Sequence, residues 1–391
     1  MAGDVIHASP APLGGKLKTP VTVALGVLAL IAAAILVVRF LFGLGSVTNI
    51  NDGYPWGIWI AYDVVIGSAL ACGGFSMALL VYIFNKGEYH PLVRPALLAS
   101  LFGYTLAGLS VIFDLGRYWN FWHIFWPRFV QVNSVMFELA VCVTAYVIVM
   151  WIEFTPTFLE RFGMHELRRK LNKTMYFFIG LGVLLPTMHQ SSLGSAMVIF
   201  GPQINPLWQT PLLPLLFLSS AVTMGYSMVI FEACLSSVGF KRRAEVDILA
   251  KVSGVIASLL GAYLVVRFAD VIVRGAFGLA FTQGFESVMF WVENLLFAIP
   301  LALLWRPAAR RRPRTLFLAA VAMVLAGSVY RLNVYLIGYE TGPGWHYFPS
   351  LSELMVTVGL IAAEIIGYIA FVRFLPVLPA EQMAAPPAAT N

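Results

Sequence analysis

The sequence predicts an all-α polytopic membrane protein of about ten transmembrane helices, and three observations carry that expectation. Of its 391 residues, 60% are hydrophobic and only 11% charged, against roughly 45–50% and roughly 25% in an ordinary globular domain. A water-soluble fold of this size could not cover its surface with so little polar material. Apolar runs recur along the whole chain, each reaching the roughly 20 residues that a helix needs to cross a hydrocarbon core of about 30 Å. Lys and Arg then concentrate in alternate loops between those runs, as the positive-inside rule requires.

In chain order the runs cover approximately residues 21–42, 56–84, 92–119, 133–159, 171–193, 212–238, 248–274, 284–305, 316–337 and 351–375. The first follows Lys16 and Lys18 and begins like a signal peptide. It is too long for a typical h-region and lacks a clear small-residue cleavage site, so it is expected to remain as an anchor. The second opens after Tyr54-Pro55 and carries Asp63 and Cys72; the third contains Tyr104 and ends near Asp114 and Arg117. The fourth holds Glu138 and Glu153, the fifth Pro186 and His189, and the sixth Glu232. Arg267 and Asp270 fall in the seventh, Glu293 in the eighth, Arg331 in the ninth and Glu364 in the tenth. Residues 1–20 and 376–391 are expected to be tails, with residues 21–375 forming the transmembrane domain.

The loop charges test this count. Lys16, Lys18, Lys86, Arg94, Arg161, Arg168, Arg169, Lys170, Lys173, Lys241, Arg242, Arg243, Lys251, Arg306, Arg310, Arg311, Arg312, Arg314 and Arg373 fall at one face, 19 of the 25 basic residues. Arg39, Arg117, Arg128, Arg267, Arg274 and Arg331 fall toward the other. A missed or extra helix would scramble the alternation, so an even number of spans and two cytoplasmic ends are expected together. The net charge of +6 is spread over short loops, which argues against a nucleic-acid surface and for contact with membrane lipids. Cys72, Cys142 and Cys234 each lie in an apolar run without metal-ligand spacing and read as packed free thiols.

The loops on the less basic side are aromatic, notably Trp119 to Trp126 and Trp345 to Phe348. They suit either an interfacial belt or a docking surface for an external subunit. An internal repeat is also visible. Ser134-Val135-Met136-Phe137 recurs as Ser287-Val288-Met289-Phe290, and the same offset places Asp114 on Arg267 and Arg117 on Asp270. Parallel four-helix bundles of helices two to five and six to nine, flanked by helices one and ten, are the expected arrangement.

Ionisable groups inside a bilayer are costly, and they are usually paired or functional. The i, i+3 spacing of Asp114 with Arg117, and of Arg267 with Asp270, puts each couple on one helix face, where structural ion pairs are expected. His189 is the only histidine well inside a run, after a proline and among polar neighbours. It could hydrogen-bond a ligand carbonyl and relay a proton, or be a satisfied packing histidine. Glu138 and Glu232 have no basic residue within one helical turn and could pass protons, or could sit as neutral acids hydrogen-bonded between helices. A six-coordinate haem needs two axial ligands, and His7, His90, His123, His165 and His346 lie at loops or run ends. No bis-histidine haem site, iron–sulfur motif or metal cluster is therefore expected, and a buried redox partner should be an exchangeable organic molecule.

Long motifs then carry a family resemblance over roughly residues 12–379. They include Pro12-Leu13-Gly14-Gly15-Lys16, Tyr89-His90-Pro91-Leu92-Val93-Arg94-Pro95-Ala96-Leu97-Leu98-Ala99-Ser100-Leu101-Phe102-Gly103-Tyr104, Asp114-Leu115-Gly116-Arg117-Tyr118-Trp119-Asn120 and Leu184-Leu185-Pro186-Thr187-Met188-His189-Gln190-Ser191-Ser192. The chain resembles the HybB-type membrane subunits of hydrogenase-2-type [NiFe] hydrogenases, within the NrfD/PsrC group of quinone-interacting subunits. The resemblance implies a place in the bacterial inner membrane. It also implies a periplasmic iron–sulfur ferredoxin-like partner, large and small [NiFe] hydrogenase subunits, and a quinone, menaquinone or ubiquinone, as electron acceptor. Tyr104, Glu138, His189 and Glu232 match the family's quinone and proton-transfer positions. Asp63, Tyr104, Asp114 and His189 are expected to shape the quinone pocket, with Glu138, His189 and Glu232 moving protons. A proton-coupled secondary transporter and a purely structural anchor are the competing functions.

Overall fold

The computed structural model describes residues 10–242 and 245–379. The outer parts of both expected tails, and Arg243 of the basic set, lie outside the described residues. Ten long helices follow one another: α1 (Pro20–Phe42), α2 (Trp59–Ile83), α3 (Val93–Asp114), α4 (Val135–Arg161), α5 (Met175–Ile199), α6 (Leu213–Gly239), α7 (Val246–Val273), α8 (Phe285–Leu304), α9 (Pro313–Ile337) and α10 (Leu351–Phe374). Among the described residues, nine spans are apolar and long enough to cross a membrane. The tenth helix, α5, has 25 residues, about 37 Å at 1.5 Å per residue. Its polar run His189-Gln190-Ser191-Ser192 is what lowers its hydropathy, and that run faces protein.

The elements follow from local chemistry. Thr19 caps α1 through a reciprocal hydrogen-bonded box with Thr22, and Ser350 with Glu353 does the same for α10, satisfying N–H groups that would otherwise be orphaned. Between α4 and α5 the charged helix His165–Asn172 is too polar and short to enter lipid and lies at the basic face. The sequence extends the third run to residue 119, whereas α3 stops at Asp114 and a 3₁₀ segment, Tyr118–Phe125, follows.

Helix packing separates a buried centre from a lipid-facing flank. Helices α2 to α5 pack sequentially, α6 to α9 close on one another, and α2 and α5 meet α6 at the seam between the sets. Helix α1 lies along α10, and α10 packs on α2 and α3. The best apolar window of α2 is 78% buried and that of α1 only 6%, so α2 is a core element and α1 faces lipid. The seam is close: a Cβ on Gly225 of α6 would stand 2.6 Å from the carbonyl oxygen of Cys72 in α2. Helix α2 is itself irregular, with π-helical turns at Trp59–Ile66 and Leu79–Ile83, a distortion common at functional sites.

Both described ends of the chain meet on the basic face. Ala11 N–H donates to Leu378 O at 3.1 Å and Leu13 N–H to Val372 O at 3.2 Å. Arg94 binds Pro376 O and Glu160 at 2.9 Å each, Arg168 reaches Glu160 at 3.2 Å, and Lys251 pairs with Glu88. On the opposite face, Asn51 donates to His346 O at 2.9 Å, and Arg274 to Pro206 O at 2.7 Å.

Candidate functional site

The strongest candidate lies where side chains of α2, α3, α5 and α9 converge. His189 in α5 is 1% exposed, and neither ring nitrogen has a hydrogen-bond partner. Pro186, one turn earlier, lacks the N–H that would continue the ladder. The imidazole lies edge-to-face against Tyr104 of α3, ring centroids 5.8 Å apart, and Tyr146 closes the other side of Tyr104 at 4.6 Å. The fold thus brings His189 and Tyr104 together.

Two further residues join them. Gln190 Nε2 donates to Ser68 Oγ at 3.0 Å and to Tyr104 Oη at 3.3 Å. Its Oε1 accepts from Arg331 Nη2 at 3.3 Å. Arg331 is fully buried, also donates to Ser220 Oγ at 3.2 Å and Phe217 O at 3.1 Å, and has no acidic ion-pair partner among the described residues. A guanidinium from the second helix set thus reaches the first across the seam. Gln190 was legible only as a neighbour of His189, and Arg331 only as a cation in an apolar run; neither spacing indicates that they touch.

The other expected residues form satellites. Ser192, one turn from His189, donates to Glu138 Oε1 at 2.6 Å, so a neighbouring helix supplies the partner that α4 lacks. Tyr368 Oη of α10 donates to Glu232, which lines a cavity of about 360 Å³ at the basic face together with Thr19, Thr22, Ser236, Tyr368 and Arg373. Asp63 accepts from Thr357 Oγ1 at 3.2 Å, and Asp114 interacts electrostatically with Arg39, Glu353 and Asp63. Asp63 and Asp114 thus form their own group toward α1 and α10 and make no hydrogen bond to His189 or Tyr104.

The expected ion pairs need correcting. Among the described residues no ion pair joins Asp114 to Arg117, because α3 ends at Asp114 and the exposed Arg117 lies beyond the helical register. Arg39, counted from sequence toward the less basic face, is fully buried beside Asp114; its Nε donates to Phe113 O at 2.6 Å. Arg267 pairs not with Asp270 but with Glu293 of α8, at 3.4 Å and with almost no exposure of either side chain. Asp270 pairs one turn on with Arg274 at 2.9 Å and accepts from Thr210 at 2.7 Å. Tertiary neighbours displaced the i, i+3 partners.

A family model described as "Polysulphide reductase, NrfD" matches residues 46–342. The chain belongs to the NrfD family. Among similar NrfD-type chains, the "Probable Ni/Fe-hydrogenase 2 b-type cytochrome subunit" of Escherichia coli (strain K12) is 47% identical, over 95% of each chain. The "Menaquinone reductase, integral membrane subunit" of Nitratidesulfovibrio vulgaris is 28% identical over 87% of each. The "Hdr-like menaquinol oxidoreductase integral membrane subunit" of Archaeoglobus fulgidus is 23% identical over 85% of this chain and 88% of that one. These names place the family's membrane subunits in hydrogenase and reductase complexes.

The first of those names implies a haem in that protein, and the described residues of this NrfD chain offer no bis-histidine pair for one. A bis-histidine haem needs two facing imidazoles in the core. His189 is the one fully buried histidine among the described residues, and its ring faces Tyr104. His90, His123, His165 and His346 stand in 3₁₀ turns, the surface helix or a loop.

Proposed function

We propose that this NrfD subunit is the quinone-reactive membrane part of a hydrogenase-2-type complex, passing electrons from an iron–sulfur partner subunit to the quinone pool. The observation that carries the reading is His189: an imidazole with both nitrogens unpartnered in the core, beside a Tyr104–Gln190 hydrogen-bond pair. A buried polar atom left unsatisfied costs about 1–3 kcal/mol, and a quinone carbonyl would remove that cost by accepting from the ring N–H. Among the described residues no group of three or more metal-ligating side chains is present and one histidine alone is buried; the electron donor is external and, on the resemblance, belongs to a periplasmic ferredoxin-like subunit carrying electrons from the [NiFe] large and small subunits.

The protein's residues supply binding and proton handling. Tyr104 and His189 define one wall and present the hydrogen-bonding groups; Gln190, held by Arg331 and Ser68, fixes the Tyr104 hydroxyl. Glu138 connects through Ser192 to the turn of α5 that carries His189, and Glu232 stands at the cavity on the basic face, placed to exchange protons with the cytoplasm. Asp63 and Asp114 flank the site from the α10 side. The basic face is taken as cytoplasmic, both ends included, with the membrane being the bacterial inner membrane. The sets α2 to α5 and α6 to α9 are then the two bundles of a duplicated domain. Binding of a quinone analogue to the purified complex tests the reading: His189→Ala should abolish it, and an unchanged affinity would reject the pocket.

A further inference from the structure

Helix α10 carries a polar stripe that the quinone pocket does not use. Glu353, Thr357, Glu364 and Tyr368 fall at i, i+4, i+11 and i+15, within an arc of about 60° and over about 22 Å of helix. The stripe therefore covers most of a hydrocarbon core of about 30 Å. It faces protein: Thr357 meets Asp63 of α2, Glu364 lies beside Gly103 of α3 and Tyr368 reaches Glu232 of α6.

At its basic end Tyr368 binds Glu232 on the wall of the 360 Å³ cavity, and a smaller cavity of about 60 Å³ meets Glu232 from the side of Pro91, Ser237 and Arg242. One turn up, Glu364 has no hydrogen-bond or ion-pair partner among the described residues. Its carboxyl lies against Gly103, with Oε1 3.4 Å from the place a Cβ would occupy. Tyr62 of α2 is within electrostatic reach of both Glu364 and Asp63. Asp63 then accepts from Thr357 at 3.2 Å. At the opposite end Asp114 interacts with Glu353, which accepts from Tyr347 at 2.6 Å and from Asn49 N–H at 2.9 Å. Tyr62 and Asp63 sit in the π-helical stretch Trp59–Ile66, whose widened turns aim them at α10.

We propose that this stripe is a transmembrane proton path, with Glu364 relaying between Glu232 and Asp63; it shares those two acids with the surroundings of the quinone site and bypasses His189 and Tyr104. Structural burial alone would not place acids and hydroxyls in one line from a cavity at one face to the loop at the other, since each isolated acid in the membrane costs a few kcal/mol. In each step a carboxyl accepts one proton from a neighbouring hydroxyl or water and releases one onward; only O–H bonds break and form, and no electron moves. The proposal rests on the quinone reading for its driving reaction, in which the quinone takes up protons together with electrons.

The test uses the isolated complex reconstituted in liposomes with an entrapped pH dye. Glu364→Gln should leave quinone reduction within about twofold of the parent while reducing proton movement about fivefold or more, with Glu364→Asp restoring most of it. Unchanged proton movement in Glu364→Gln would overturn the path, as would a loss that the Asp variant does not recover. Infrared difference spectra of the same complex in H₂O and D₂O provide a second readout that needs no turnover. A carboxyl band removed by Glu364→Gln should exchange deuterium within minutes, and one that resists exchange for hours marks a dry core and overturns the proposal. A parent complex that reduces no quinone rejects the quinone reading instead, and the infrared result still judges the stripe.

Discussion

At the residue scale, the behaviour of buried charges is decided by what stands across the helix interface. Arg267 and Glu293 are 1% and 0% exposed at the side chain, and Glu293 also accepts from Trp208 Nε1 at 2.7 Å and Asn333 Nδ2 at 2.8 Å. Glu293→Leu leaves a buried guanidinium without its counter-charge, a change of the class that costs about 3–5 kcal/mol. Thermal unfolding of the detergent-solubilised protein should show a clearly lowered midpoint; an unaltered midpoint would show that Arg267 is satisfied without the acid. Glu138→Gln keeps a group that can accept from Ser192 but cannot exchange a proton as a carboxyl does. Hydrogen-dependent quinone reduction should fall about 10²-fold or more, while hydrogen oxidation with a soluble artificial acceptor continues. Retained quinone reduction would remove Glu138 from proton transfer.

Tyr347, in the loop before α10, gives a pH-dependent outcome. Burial, and then its hydrogen bond to Glu353, push the phenol up from the ordinary 10.0. Because the folded value exceeds the unfolded one, the stabilisation is complete below pH 10 and is lost as pH rises above it. Thermal midpoints measured from pH 9 upward should fall more steeply for the parent than for Tyr347→Phe, and parallel curves would contradict this.

At the element scale, small residues set how closely the helices approach. A Cβ on Gly359 of α10 would meet the Ala32 side chain of α1 at 2.1 Å and Leu28 O at 2.9 Å, so only glycine lets these two helices touch. Gly359→Leu should detach α1 from α10, a shift read by disulfide trapping of cysteine pairs placed along the two helices; unaltered trapping would show that the contact tolerates bulk. Such close approach is how helices associate where lipid removes the hydrophobic drive between them. The π turns of α2 are another element-scale feature that apolar periodicity does not reveal, because the hydropathy of a π stretch matches that of an ordinary span.

At the scale of the whole molecule, the spans were legible and their neighbours were not. Ten helices stand where apolar runs and basic loops place them, since backbone groups in lipid must be satisfied within each segment and basic loops alternate by face. The polar run of α5 shows the limit of hydropathy. His189, Gln190 and Ser192 lower the average of a real helix because they face Tyr104, Arg331 and Glu138, which come from other parts of the chain. Reporter fusions after residue 10 and after residue 379 should report the same compartment, as the contact between Ala11 and Leu378 requires; opposite compartments would break the ten-span topology.

Composition, run length and loop charge determined by themselves that the chain is a helical membrane protein and where its helices lie, and the motifs pointed to Tyr104, Glu138, His189 and Glu232. The tertiary structure alone decided that Arg267 pairs with Glu293, that Asp63 and Asp114 turn toward α10, that Arg331 reaches Gln190, and that Glu364 joins a stripe of polar groups. The physical reason is range. Lipid solvation acts on each segment locally and leaves its mark in the sequence, whereas the partner of a buried charge is selected by packing between helices distant in the chain, as Arg331 and Gln190 are, 141 residues apart.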